Sequence, residues 1–179
     1  MKKTIMTKGF VIALAGIFMS STMLAQADKS QRPSPPATAT GNVQGATITV
    51  NYSSPSVKNR KIWGDLVPYD KVWRAGANEA TIFETDKDIK VEGKALAKGK
   101  YSLYAIPGEK EWTIIFNSAT GQWGINRDGT TTEDPAKDVL RVTAKSKKSA
   151  SFNEQLTYKV DDKGFALLWE NLEVPVSIK

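Results

Sequence analysis

Between residues 42 and 179 the sequence is a succession of short apolar runs separated by turn residues. No window of a dozen residues carries the i, i+3, i+4, i+7 stripe of a capped helix. In the run 46–52, Ile48, Val50 and Tyr52 fall on one face, and the runs 101–106 and 112–117 are rich in aromatic and β-branched residues. Pro107 and Gly108 separate the last two, which predicts a hairpin, and Glu92-Gly93 predicts a second one between 89–91 and 94–96. Runs at 139–145, 152–160, 165–170 and 172–178 complete the series, with 161–164 as a turn. About eight or nine strands at this spacing predict an all-β fold, an antiparallel two-sheet sandwich, with a closed barrel as the alternative. Pro175 predicts an edge position for the last strand, because proline cannot donate to a ladder.

Ahead of the strands come two segments of different character. Lys2, Lys3 and Lys8 precede the apolar run 9–19, and Ala25 and Ala27 supply a small-x-small cleavage pattern, so residues 1–27 read as a secretory signal peptide. The apolar run is too short for a bilayer span, and the expected destination is the periplasm or the exterior. Residues 28–41 hold three of the eight prolines and nothing large and apolar, which predicts a flexible linker. The remainder, 42–179, is long enough for one core, and no further linker divides it. Without the leader the formal charge falls from +6 to +3, spread along the chain, which gives no reason to expect nucleic acid as a partner.

The chain has neither cysteine nor histidine. Disulfides, His-dependent nucleophile systems and ordinary zinc, copper or haem sites are thereby excluded, and no cofactor is implied. Chemistry would have to rest on carboxylates, Lys, Tyr, Ser and Arg.

The stretch 52–81 has no strict period and mixes large aromatics with charges and amides, which reads as ordered loops able to aim polar groups into a common space. Its candidate ligand-binding residues are Tyr52, Lys58, Arg60, Trp63, Trp73, Arg74, Asn78 and Glu79, joined by Trp123 from a second long loop at 121–138. Trp112 and Trp169 lie in strands and read as core, whereas Trp63, Trp73 and Trp123 sit beside Gly or Arg in loops. A turn at Ala75 to Asn78 would set Arg74 opposite Glu79, either as a brace or as part of a site. Ser56 and Lys58 miss the Ser-x-x-Lys helical spacing, so a proline turn accounts for Ser54 to Lys58. Asp65 or Asp70 with Glu79 or Glu170 are the carboxylate pairs open to a hydrolase. Asn126, Asp128, Glu133 and Asp134 supply oxygens without an EF-hand pattern.

The run from Tyr52 to Thr81 resembles DUF2911, a bacterial secreted family of unknown function. The likeness continues through residues 99–108, 111–117, 122–124, 138–142 and 169–171. It departs at Asn59, where such motifs read Gly; Asn still tolerates the left-handed conformation. The resemblance implies one domain and no activity.

The expectation is therefore a secreted binding module for a polar small molecule, glycan or peptide. A carboxylate-dependent hydrolase acting on glycan or cell-wall material, or an envelope assembly partner, are the alternatives. The exported protein is expected to begin at Asp28. Mass spectrometry of its amino-terminal peptide checks this, and recovery of Met1 would contradict it.

Overall fold

The computed structural model describes residues 28–179; the expected signal peptide lies outside them. Its strands are β1 (Pro36–Val43), β2 (Ala46–Ser53), β3 (Thr81–Thr85), β4 (Ile89–Val91), β5 (Lys94–Leu96), β6 (Gly99–Ile106), β7 (Glu111–Asn117), β8 (Asp138–Lys145), β9 (Lys147–Asp161) and β10 (Gly164–Ser177). One antiparallel sheet runs β1-β2-β3-β6-β7-β8, and the long β9-β10 hairpin forms the second layer. The fold is all-β and sandwich-like, and no sheet closes into a barrel.

Alternation explains the layering. On β2, Ile48, Val50 and Tyr52 are buried, and on β7 so are Trp112, Ile114 and Phe116. These meet Leu156 and Tyr158 of β9 and Phe165, Leu167, Trp169, Val174 and Val176 of β10 in one continuous core. The opposite faces of β6 and β7 are also covered: Tyr104 and Ile115 are fully buried in a small second cluster with Ala80. A strand buried on both faces needs a cover on each, and here the second cover includes the loop after β7, whose Gln122 donates to Tyr104 Oη at 2.8 Å.

Both expected hairpins form, with Tyr104 opposite Ile115 and Lys90 opposite Ala95. Three readings change. The linker expected at 28–41 is structured over much of its length: Lys29–Gln31 form a 3-10 turn, and Pro36 to Gly41 belong to β1, paired with Ser53 to Ile48. Small residues suffice there because β1 is walled by β2 and approached by Val160 of β9, so Ala37 and Ala39 pack without bulk of their own. Second, β3 is a strand to which the sequence reading assigns no element, only Thr81 falling in the loop stretch 52–81; its inward residues are Thr81, Phe83 and Thr85, a single large apolar side chain between two threonines. Third, the runs 165–170 and 172–178 are one strand. Glu170 takes φ 55° at an irregularity in the register with β9, and Asn153 Nδ2 donates to its carbonyl at 3.2 Å, so the strand absorbs the irregularity and continues. Among the described residues β10 has a ladder with β9 alone, though its end meets the β4 hairpin through the Glu92 N–H and the Ser177 carbonyl at 2.9 Å; Pro175 thus lies on a strand with one ladder partner.

Residues 54–80 close one end of the sandwich. Trp63 packs edge-on against Trp112 at 5.1 Å and Trp169 at 5.7 Å between ring centroids, while Trp73 stacks on Trp169 at 6.1 Å with planes 12° apart. Trp112, at 1% exposure, is buried beneath Trp63 and Trp73, both of which pack edge-on against it. Trp112→Ala should destabilise the fold by about 3–5 kcal/mol. A lowered urea midpoint with an unchanged m-value checks this; a loss below about 1 kcal/mol would mean that the group does not hold the end closed.

Candidate functional site

The sequence candidates separate into four places. Tyr52 is core: its hydroxyl oxygen accepts the Tyr158 N–H at 3.2 Å, and the rings meet edge-on at 4.8 Å. Lys58 and Arg60 brace a turn. The Lys58 N–H donates to Glu154 Oε1 at 2.9 Å, and Arg60 donates to the carbonyls of Val57 (3.1 Å) and Ser56 (2.5 Å). Lys58 and Asn59 both adopt positive φ (48° and 56°), the left-handed conformation expected at Asn59. Trp63 and Trp73, read as loop aromatics open to ligand, belong to the tryptophan cluster and are half-buried.

Arg74, Asn78, Glu79 and Trp123 do come together, where the first long loop meets the second. Glu79 and Trp123 form an antiparallel bridge, and the Gly124 N–H donates to the Asn78 carbonyl at 3.0 Å. Gly124 lies directly on the stem of Arg74, and a Cβ there would collide with Arg74 Cδ, so only glycine lets the two loops touch. The turn at 75–78 is seated from below. Tyr158 Oη donates to the Ala75 carbonyl at 2.8 Å and Thr81 Oγ1 to the same oxygen at 3.0 Å; Ala75 and Asn78 take φ 52° and 58°.

The expected Arg74–Glu79 pair does not form. Glu79 instead accepts from Lys29 Nζ at 2.9 Å and, through both carboxylate oxygens, from Arg32 Nη1 at 3.0 Å. Both partners come from the segment that read as a linker, so nothing near Glu79 in sequence signals them. Asn78 Nδ2 donates to the Ser34 carbonyl at 3.0 Å, and Arg32 lies 6.0 Å from the ring centroid of Trp123. Trp123 is 48% exposed. Burial alone would raise the Glu79 pKa, but hydrogen bonds from Lys29, its own backbone N–H and Arg32, with the charge of Lys29, bring it down to about 2.

Arg74 is left with its Nε buried and without a partner, and burial pushes its pKa down from the usual guanidinium value. Among the described residues no acid pairs with it. A half-buried cation without a counter-charge carries a cost at its buried donor, because the lost hydration of Nε is not replaced.

The oxygens considered for calcium have separate duties. Asp128 accepts from Thr130, Asp134 caps the 3-10 turn at Pro135–Lys137 through the Ala136 N–H, and Glu133 pairs with Arg141. Among the described residues no group of three acidic, His or Cys side chains is placed to share a metal ion, and no helix is long and apolar enough to cross a membrane.

Residues 34–178 match a family model described as a protein of unknown function (DUF2911). No curated protein and no solved structure matches the chain.

Two measurements test this charge arrangement. Double-mutant cycles should give Arg32–Glu79 a coupling of roughly 0.2–1 kcal/mol, as for other half-exposed pairs, and Arg74–Glu79 none beyond about 0.3–0.5 kcal/mol. Because the folded pKa of Glu79 is depressed, its contribution is complete above the ordinary value of 4.5 and is lost as pH falls toward about 2. A carboxyl carbon titration by NMR reads the midpoint directly; a value near 4.5 would show that Lys29 and Arg32 do not hold the carboxylate in solution.

Proposed function

The chain belongs to the DUF2911 family, which brings no activity with it, and on that footing we propose that the protein is an exported, non-catalytic binding module for a polar small molecule, glycan or peptide. The observation that carries this reading is Arg74: a half-buried guanidinium with an unpartnered Nε–H, under a loop whose Trp123 stands open. A ligand oxygen accepting from Arg74 would offset the desolvation that the protein leaves uncompensated, and the Trp123 ring offers a flat apolar contact beside it. The match over 34–178 places both residues inside the family domain. Export rests on the leader-like segment 1–27.

The carboxylates favour binding over hydrolysis. Glu79, with a pKa of about 2, stays ionised at neutral pH and cannot serve there as a general acid. Asp65 and Asp70 are exposed, and Glu170 occupies the irregularity of β10.

Titration of the exported protein with sugars, muropeptides and short peptides, read by tryptophan fluorescence, should give saturable binding for one class. The affinity should fall at least tenfold in Arg74→Gln and in Trp123→Phe, and mass spectrometry should find the ligand unchanged. Turnover abolished by Glu79→Gln would establish a hydrolase instead. Affinity unaffected by either variant would remove the site from this junction.

A further inference from the structure

We propose that the surface formed by Asn78, Glu79 and Trp123 recognises a peptide bearing arginine, and that residues Lys29 to Ser34 of this chain cover it in cis. The inference rests on the binding reading above and names the ligand class.

The contacts are those by which one peptide recognises another. Arg32 Nη1 donates to both oxygens of Glu79 at 3.0 Å, and the same guanidinium lies 6.0 Å from the Trp123 centroid. A planar, delocalised cation satisfies a carboxylate and an aromatic face together, which a lysine ammonium does less well. The backbone is read too: Asn78 Nδ2 donates to the Ser34 carbonyl at 3.0 Å and the Ser54 N–H to the Pro35 carbonyl at 2.8 Å. Arg32 closes the 3-10 turn of Lys29–Gln31, its N–H donating to the Lys29 carbonyl at 3.2 Å, and with φ −70° and ψ 147° it turns the chain into an extended course. Pro33 and Pro35 hold neighbouring residues extended at low entropic cost, the usual reason for using proline in such segments.

This occupant is loosely held. No residue from 28 to 35 is buried, so detaching the segment uncovers Glu79 and Trp123 without opening the core. Exposed ion pairs are weak holders. The surface and the segment on it also differ in origin. Asn78, Glu79 and Trp123 lie inside the family match, whereas Lys29 and Arg32 precede its start at residue 34. The matched domain therefore carries the surface, and the segment ahead of it supplies a cis competitor. A tethered competitor acts at an effective concentration on the order of millimolar, so a peptide in trans must exceed that to displace it.

The test uses the full exported chain carrying Lys29→Ala and Arg32→Ala, which vacates this surface of the two cations that cover it. An acetylated hexapeptide, Lys-Ser-Gln-Arg-Pro-Ser, should bind it at least tenfold tighter than it binds the wild type. Replacing the peptide's arginine with alanine should cost at least tenfold, and adding Glu79→Gln to the vacated chain should abolish binding. Equal affinity for the arginine and alanine peptides overturns the proposal, as does the absence of binding to a vacated chain whose thermal melt matches the wild type. Should that variant misfold, the wild type decides: peptide in excess should release Arg32 and remove the ring-current shift of its side chain over Trp123, and an unchanged shift overturns the proposal. If a glycan or muropeptide binds the vacated chain while the arginine peptide does not, this inference fails alone; if neither binds, the binding reading fails with it. A wild-type dimer exchanging amino-terminal segments would assign the surface to a second copy and likewise overturn it.

Discussion

A single backbone pair, Trp73 with Ala105, sets the geometry on which the candidate site depends. The two N–H groups and carbonyls exchange hydrogen bonds at 2.7 and 2.9 Å, so residues 73–74 lie against β6 like one step of an added strand. Side chains along such a step point to opposite faces. Trp73 enters the core cluster with Trp63, Trp112 and Trp169, and Arg74 is turned toward the loop around Gly124. The position of the buried cation thus follows from the register of its neighbour. Aromatic packing outweighs a polar cost here: Trp63, Trp112 and Trp169 each keep an Nε1–H without an acceptor, at about 1–3 kcal/mol apiece.

The regular elements were legible because their physics is local. Period-two alternation and turn residues are properties of adjacent positions, so β2, the two predicted hairpins and β8 could be read directly. β1 and β3 escaped because their burial is conferred by neighbours. Ala37 and Ala39 are too small to mark a core face, and Thr81 and Thr85 look like surface until β2 and β6 pair on either side of β3. The division of β10 was read into Glu170-Asn171, two polar residues that a bulge accommodates as well as a loop does.

The site was half legible for the same reason. Arg74, Asn78, Glu79 and Trp123 could be picked out as polar and aromatic residues in long loops, but their partners could not. The Arg32–Glu79 contact spans 47 residues, and its basic half sits in a proline-rich stretch whose composition argues against order. Trp63, Trp73 and Trp123 share the same sequence context, a loop beside Gly or Arg, yet only Trp123 is open. What distinguishes Trp73 is its bridge to β6 and what distinguishes Trp63 is its packing on Trp112 and Trp169, both tertiary facts.

Three cations and one carboxylate at this junction are arranged unequally, and the inequality is informative. Glu79 receives Lys29 and Arg32 at a half-exposed position, where water could have solvated all three groups at little cost. Arg74, where desolvation is greater, receives no acid at all. An arrangement optimised for stability alone would place the carboxylate with the buried cation, since pairing matters most where water is excluded. The left-handed residues Ala75 and Asn78 bracket the turn between them, and Gly124 gives the Arg74 stem its place against the second loop. Arg74 and Glu79 thus flank a turn held by left-handed residues and stay unpaired with each other. The result is a donor held without its acceptor and an acceptor held by an exposed segment, the two features on which the proposed binding role rests.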